Sequence, residues 1–227
     1  MALAMTFGSC TRVRTTDAEK EREQWMASFN DSIEFYQAQN LKIEQALGTV
    51  SNEIASLLAD FEMVNNPKEV TGYYIIKGWG AKVPYTSTGI FARINDREKL
   101  EVIATLAGAT FNRLGVGEGS EEVFSETVPH DQAFNYRHKT YNTVCFSGGK
   151  ADTVAEYIAN HHGNNLNIDF LEGNTKKTVK LSQSDKDMIT KTWKLYSAQL
   201  KAKELQKQLW ISSKKIDTFR RLLDDGE

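Results

Sequence analysis

The sequence predicts an α+β protein. Its N- and C-terminal segments form a long antiparallel two-helix coiled-coil stalk, and its centre is an antiparallel β barrel or sandwich carrying one short helix. Three observations predict this. The terminal segments, 1–66 and 182–227, place apolar side chains at alternating spacings of three and four. The middle segment, 67–181, changes to short runs rich in β-branched and aromatic residues, and it holds all three prolines (Pro67, Pro84, Pro129). The charge also changes along the chain: 5 basic and 10 acidic residues in 1–66, 13 of each in 67–181, and 10 basic and 7 acidic in 182–227.

The first stalk helix is expected over 25–66. Met26, Phe29, Ile33, Tyr36, Asn40, Ile43, Leu47, Val50, Ile54, Leu57, Phe61 and Val64 keep an unbroken three-four spacing, with Asn40 the single polar member. Sustained spacing of this kind marks a coiled-coil seam. Pro67 is the expected stop. At 1.5 Å per residue, Met26 to Val64 spans roughly 58 Å.

The second stalk helix is expected over 182–227, with Ser184 as cap and acids in its first turn. Met188, Leu195, Ala202, Leu209, Ile216 and Leu223 form one seam row; Lys191, Ala198, Leu205, Ser212 and Phe219 form the other. An acidic and a basic helix of matched length pair most simply as an antiparallel hairpin. The register that fits every seam position sets Phe29 against Leu223, Ile33 against Phe219, Ile43 against Leu209 and Asn40 against Ser212. It also lays the stem of Lys191 on Phe61.

Between the helices, strands are expected at Val70–Trp79, Gly89–Ile94, Leu100–Leu106, Ala109–Val116, Glu121–Val128, Thr143–Phe146, Leu166–Leu171 and Lys177–Leu181. Turn residues lie between most of them. One helix, Asp152–Asn160, places Val154, Tyr157 and Ile158 on one face.

Composition excludes several classes. With 28 basic and 30 acidic residues the chain has no positive excess for nucleic acid. No run approaches the ~20 apolar residues that cross a bilayer as a helix. Two cysteines make no disulfide framework, and Cys145 in Thr-Val-Cys-Phe reads as a buried strand thiol.

The first ten residues, Met1-Ala-Leu-Ala-Met-Thr-Phe-Gly-Ser-Cys10, are a short apolar stretch, two small residues and a cysteine; the polar residues 11–24 follow as a tether. This resembles the end of a bacterial lipoprotein signal peptide, in which small residues precede an acylated cysteine. The resemblance implies lipid attachment at Cys10 and, with Thr11 next, an outer-membrane lipoprotein facing the periplasm or the cell surface. An in-frame basic and apolar extension upstream is expected with it. Without a signal, the chain would be a cytoplasmic helical-hairpin subunit of a larger assembly.

Motifs for chemistry are sparse. Val144-Cys-Phe-Ser-Gly-Gly-Lys-Ala-Asp-Thr-Val154 resembles the pyrophosphate loop of ATP pyrophosphatases, which implies a phosphate held by the Ser147-Gly148-Gly149 turn and a helix N-terminus. Ala151 departs from that family's spacing, and a tight Gly-Gly turn with Asp152 capping the helix explains the same residues. His130, His138, His161 and His162 assemble no metal set, since adjacent histidines diverge by about 100° on a helix. Glu118, Glu121 and Glu122 lie in a Gly-rich loop and read as solvated. No catalytic residue, cofactor or metal is assigned.

Aromatic residues carry more. Thirteen of 23 lie in 67–181, and neighbouring Tyr73 and Tyr74 must face opposite sides of a strand. Tyr73, Tyr74, Trp79, Tyr85, Tyr136 and Tyr141 form the candidate binding surface, suited to a glycan, a peptide or a partner protein. Off the seam, Ile189, Trp193, Tyr196 and Leu200 form a second stripe, and Leu41, Trp210 and Ile211 also lie outside it. Trp193, Tyr196, Leu200, Trp210 and Ile211 are the candidate surface for a homo-oligomer or partner helix, unless the β domain folds over the first set. The expected function is non-enzymatic: a lipid-anchored cell-envelope protein that displays a β domain for binding or scaffolding.

Overall fold

The computed structural model describes residues 16–65, 72–79, 87–118 and 121–225; Cys10 and Tyr85 lie outside these described residues. The elements run α1 (Asp17–Leu58), β1 (Phe61–Val64), β2 (Tyr73–Ile76), β3 (Gly89–Asn95), β4 (Leu100–Ala107), β5 (Arg113–Glu118), β6 (Glu121–Phe124), β7 (Asn135–His138), β8 (Tyr141–Ser147), α2 (Asp152–Asn160), β9 (Asn167–Glu172), β10 (Thr175–Lys180) and α3 (Gln183–Asp225). They divide into two compact units: residues 1–46 with 205–227, and residues 47–204.

The first unit is an antiparallel helical pair. α1 starts eight residues earlier than the expected stalk, inside the expected tether, because Thr16 and Glu19 make a reciprocal cap. The Thr16 amide donates to Glu19 Oε2 at 2.5 Å and the Glu19 amide to Thr16 Oγ1 at 3.3 Å. Within the pair, Met26, Phe29, Ile33, Tyr36, Asn40 and Ile43 are the shielded positions of α1, with Ser32 and Ala46 beside them. On α3, Leu205, Leu209, Ser212, Ile216, Phe219 and Leu223 are shielded likewise.

Contacts fix the register. The Phe219 ring lies 5.4 Å from Phe29 and 6.1 Å from Tyr36, one turn to either side of Ile33. The polar layer is one residue off the expectation. Asn40 Nδ2 donates to Ser213 Oγ at 3.3 Å, whereas Ser212 Oγ donates to the Tyr36 carbonyl at 3.4 Å. Asn40 Oδ1 is buried without a partner.

The second unit holds the last turns of α1, all ten strands, α2 and the first half of α3. α1 ends at Leu58, not at Pro67. Phe61 and Val64, expected in the helix seam, belong to β1, which pairs with β2 (Phe61 opposite Ile76, Val64 opposite Tyr73). Their spacing suits either element, and the core decides: Phe61 is 6 % exposed. Lys191 consequently lies exposed rather than on Phe61. Its ammonium pairs with Asp60 at 2.6 Å and holds that carboxyl below its usual range.

The strands form two antiparallel sheets rather than a closed barrel: β1-β2-β3-β4-β8-β7 and β10-β9-β5-β6. After β4 the chain turns at Gly108, whose φ of +78° suits glycine. β5 then pairs with β6 and β9, seeding the second sheet. Ile90, Ala92, Ile94, Leu100, Val102, Ala104, Leu106, Val144 and Phe146 line one face of the large sheet, each at most 2 % exposed. Leu114, Val116, Ile168 and Phe170 line one face of the small sheet, and both faces join a single core. α2 adds Val154, Ala155 and Ile158, and α3 adds Met188, Ile189 and Leu195. The opposite face of the large sheet is also shielded at Tyr73, Ile75, Phe91, Ile103 and Thr105. There Arg93 pairs with Glu101 at 2.6 Å, and Asn95 donates to the same carboxylate at 2.9 Å.

α2 coincides with the expected helix. β1 and β7 were not expected, and β2, β5 and β6 are shorter than their expected runs. α3 is capped by Ser182, whose Oγ accepts the Asp185 amide at 3.1 Å, rather than by Ser184. Ile189 and Tyr196 are buried, and Trp193 packs against the same core, so the β unit's own core covers this part of the second stripe. Tyr196 is thereby taken into the core, while Trp193 stays half-buried at its edge. Leu200, Trp210, Ile211 and Leu41 remain exposed.

Candidate functional site

Where β2 ends, the chain turns through Lys77, Gly78 and Trp79. The Trp79 amide donates to the Ile76 carbonyl at 3.0 Å, Gly78 takes a φ of +80°, and Lys77 Nζ reaches the Ala59 carbonyl at 2.7 Å. This turn sets the indole of Trp79 in the wall of a cavity of about 470 Å³, shared with the end of α2 and the first turns of α3. Ile76, Ala159 and Met188 supply the apolar lining; His162, Asp187, Thr190, Lys191 and Lys194 supply the polar lining.

The polar groups are mostly tied to one another. His162 Nε2 bonds Asp187 Oδ1, and Gln183 donates to the same oxygen at 2.8 Å. These bonds, His162 first, hold the Asp187 carboxyl below its usual range. Lys186, buried beneath, donates to the carbonyls of His162 at 2.9 Å and Asn164 at 2.6 Å, pinning the chain after α2 to the start of α3. Lys191 is held by Asp60.

Two polar groups differ from these. Lys194 makes no side-chain hydrogen bond or ion pair with the described residues. Thr190 is 7 % exposed, and its Oγ1 is buried with no partner. Two residues on, Thr192 shows the ordinary solution for a helical threonine, donating to the Met188 carbonyl at 2.9 Å.

Of the five aromatic candidates among the described residues, Trp79 alone lines this cavity. Tyr73 is buried in the large sheet with the Arg93 guanidinium 4.1 Å from its ring centre, so it is no binding surface. Tyr74 faces the other way, as alternation requires, and lines a smaller recess of about 210 Å³ with Leu58, Met63 and Gln199. Tyr136 is exposed, and the pairing of β7 with β8 puts it on the same face as half-buried Tyr141. The five described aromatic candidates thus occupy four separate places.

Sequence reasoning missed His162, Asp187, Thr190 and Lys194. A signal was present, because residues 187, 190, 191 and 194 share one stripe of a helix.

The Ser147-Gly148-Gly149 turn has both glycines at positive φ, +69° and +92°. The cap of α2 is Ala151, which offers no side-chain hydrogen bond, and Asp152 stands inside the first turn rather than capping it. Burial raises the Asp152 carboxyl above its usual range, and the Tyr196 hydroxyl lies 3.5 Å away. An anionic phosphate at this helix start would meet that carboxylate. Cys145 sits in β8 half-buried rather than fully buried.

Glu122, expected to be solvated, instead shares Lys176 with Asp169. Lys176 Nζ lies 3.5 Å and 2.6 Å from the two carboxylates, and Thr178 also donates to Asp169. Hydrogen bonding to Asp169 raises the Glu122 carboxyl above its usual range. His130 bonds Glu172 at 2.5 Å, and Thr110 bonds the other oxygen, holding that carboxyl below its usual range. No group of three or more metal-ligating side chains converges among the described residues. Comparison with known proteins finds no matching protein family, no matching curated protein and no matching solved structure.

Proposed function

We propose that this chain is a non-enzymatic binding and assembly protein of the bacterial cell envelope, lipid-anchored through Cys10 to the outer membrane. Its β unit takes a ligand, and its helical pair meets a protein partner or a second copy. The observation that carries this reading is the Trp79 cavity, whose histidine is hydrogen-bonded to Asp187 and one of whose lysines is paired with Asp60. These bonds fix the shape of the cavity wall, as a preformed small-molecule site requires. The assembly half is supported by Leu41, Trp210 and Ile211, which are 62 %, 63 % and 39 % exposed on the helical pair. Large apolar side chains in water are the usual mark of a contact surface.

The test is made in the native host, with the native upstream region. The protein should partition into detergent and carry the mass of an acylated N-terminal cysteine, and Cys10→Ala should return it to the aqueous phase. An unprocessed, unmodified Met1 in the intact mass spectrum overturns the anchor.

A further inference from the structure

We propose that the cavity beside Trp79 binds a small organic oxyanion with a flat aromatic body. This names the ligand class for the binding role above and rests on that reading. The volume, about 470 Å³, is that of a small-molecule site. Its wall pairs an indole with Ile76 and Met188, a lining that accepts a planar apolar ring.

Charge decides the sign of the ligand. Lys191 is balanced by Asp60, and Asp187, bonded by His162 and Gln183, lies within the field of Lys186. Lys186 beneath them donates to the His162 and Asn164 carbonyls, and its charge offsets that of Asp187. Lys194 makes no side-chain hydrogen bond or ion pair with the described residues, which leaves one lysine beside the cavity without an acidic counterpart. The local balance is positive, and an anion is drawn to it.

Thr190 supplies the independent observation. Its hydroxyl is buried and unpartnered in a helix whose next threonine bonds normally. An unsatisfied buried hydroxyl costs free energy, and its persistence calls for a partner the chain does not provide. Thr190 lines the cavity, and on binding its side chain turns to give that hydroxyl to a ligand oxygen while a second oxygen takes Lys194.

The probe is 2-naphthoate, titrated into the full chain and followed by NMR at the Trp79 indole N–H and the Met188 methyl group. Both signals should shift and saturate. 2-Naphthyl phosphate should act likewise, inorganic phosphate alone should not, and 2-naphthylmethylamine should bind at least about tenfold more weakly. Lys194→Glu should weaken naphthoate binding at least about tenfold without changing Tm, and Thr190→Val should weaken it several-fold. Absence of saturable shifts at both Trp79 and Met188, equal binding of the amine, or an unaffected Lys194→Glu variant overturns the inference. Detergent partition is read on a separate sample. If it depends on Cys10 while naphthoate fails, this site falls and the anchored-protein reading stands.

Discussion

The two units solve burial in opposite ways. In the helical pair each helix satisfies its own backbone and offers one narrow stripe, so Ile33 at 9 % and Ile216 at 6 % are as shielded as its apolar residues become. In the sheets of the β unit backbone pairings join different strands, and inward side chains of β3, β4 and β8 fall to 0–2 % exposure. The helical pair has surface and little interior; the β unit encloses a true interior. A substitution of the same size should therefore cost far more in the β unit, where neighbours close in from every direction.

The largest expected effect tests that contrast directly. Phe170 is 1 % exposed and meets the edge of Phe111 at 4.9 Å, so Phe170→Ala should destabilise the β unit by about 4 kcal/mol. Urea unfolding followed by tryptophan fluorescence gives the number, and a loss below about 1 kcal/mol would break the comparison.

A smaller change of opposite sign is expected in the helical pair. Asn40→Leu removes a buried carbonyl oxygen without a partner at the cost of one long hydrogen bond, and should stabilise by about 1 kcal/mol. Cysteines at 43 and 209 should crosslink readily in the parent chain and less selectively in the variant, because the polar layer that fixes register is gone. Mass spectrometry of the oxidised proteins checks this.

The smallest effect concerns Asp152. Its folded-state carboxyl titrates above the unfolded value because it is desolvated, so its charge weakens the fold at neutral pH, and this penalty fades as pH falls through the raised value. Asp152→Asn should raise Tm by roughly 2 °C at pH 7. The gain should vanish on acidification below the usual carboxylate range. A gain that persists there would point to packing rather than charge.

What was legible in the sequence follows the same divide. The seam of the helical pair could be read position by position, because a helix's neighbours are its own residues three and four away. The exact end of α1 was not legible. Phe61 and Val64 continue the helical spacing, and only β2, brought from farther along the chain, draws them into a strand. β7 was missed because Asn-Tyr-Arg-His carries no apolar alternation; buried Asn135 holds it instead, donating to the Val128 carbonyl at 2.8 Å. The site was legible only in Trp79. His162 and Asp187 become partners because Lys186 ties the turn after α2 to the start of α3, which no local spacing announces.

The order of strands carries one more consequence, for the time course of folding. β4 finds its second neighbour in β8, so Leu106 lies beside Asn142, and β5 finds its partner in β9, with Leu114 beside Phe170. Long stretches of chain must close before either pairing returns any energy, and such loops slow the search. During synthesis the hairpin of β3 and β4 can form early, but it waits as an open edge until β8 has emerged, and the small sheet waits longer for β9. In that interval the unpaired flank of β4 stands open to pairing with another molecule.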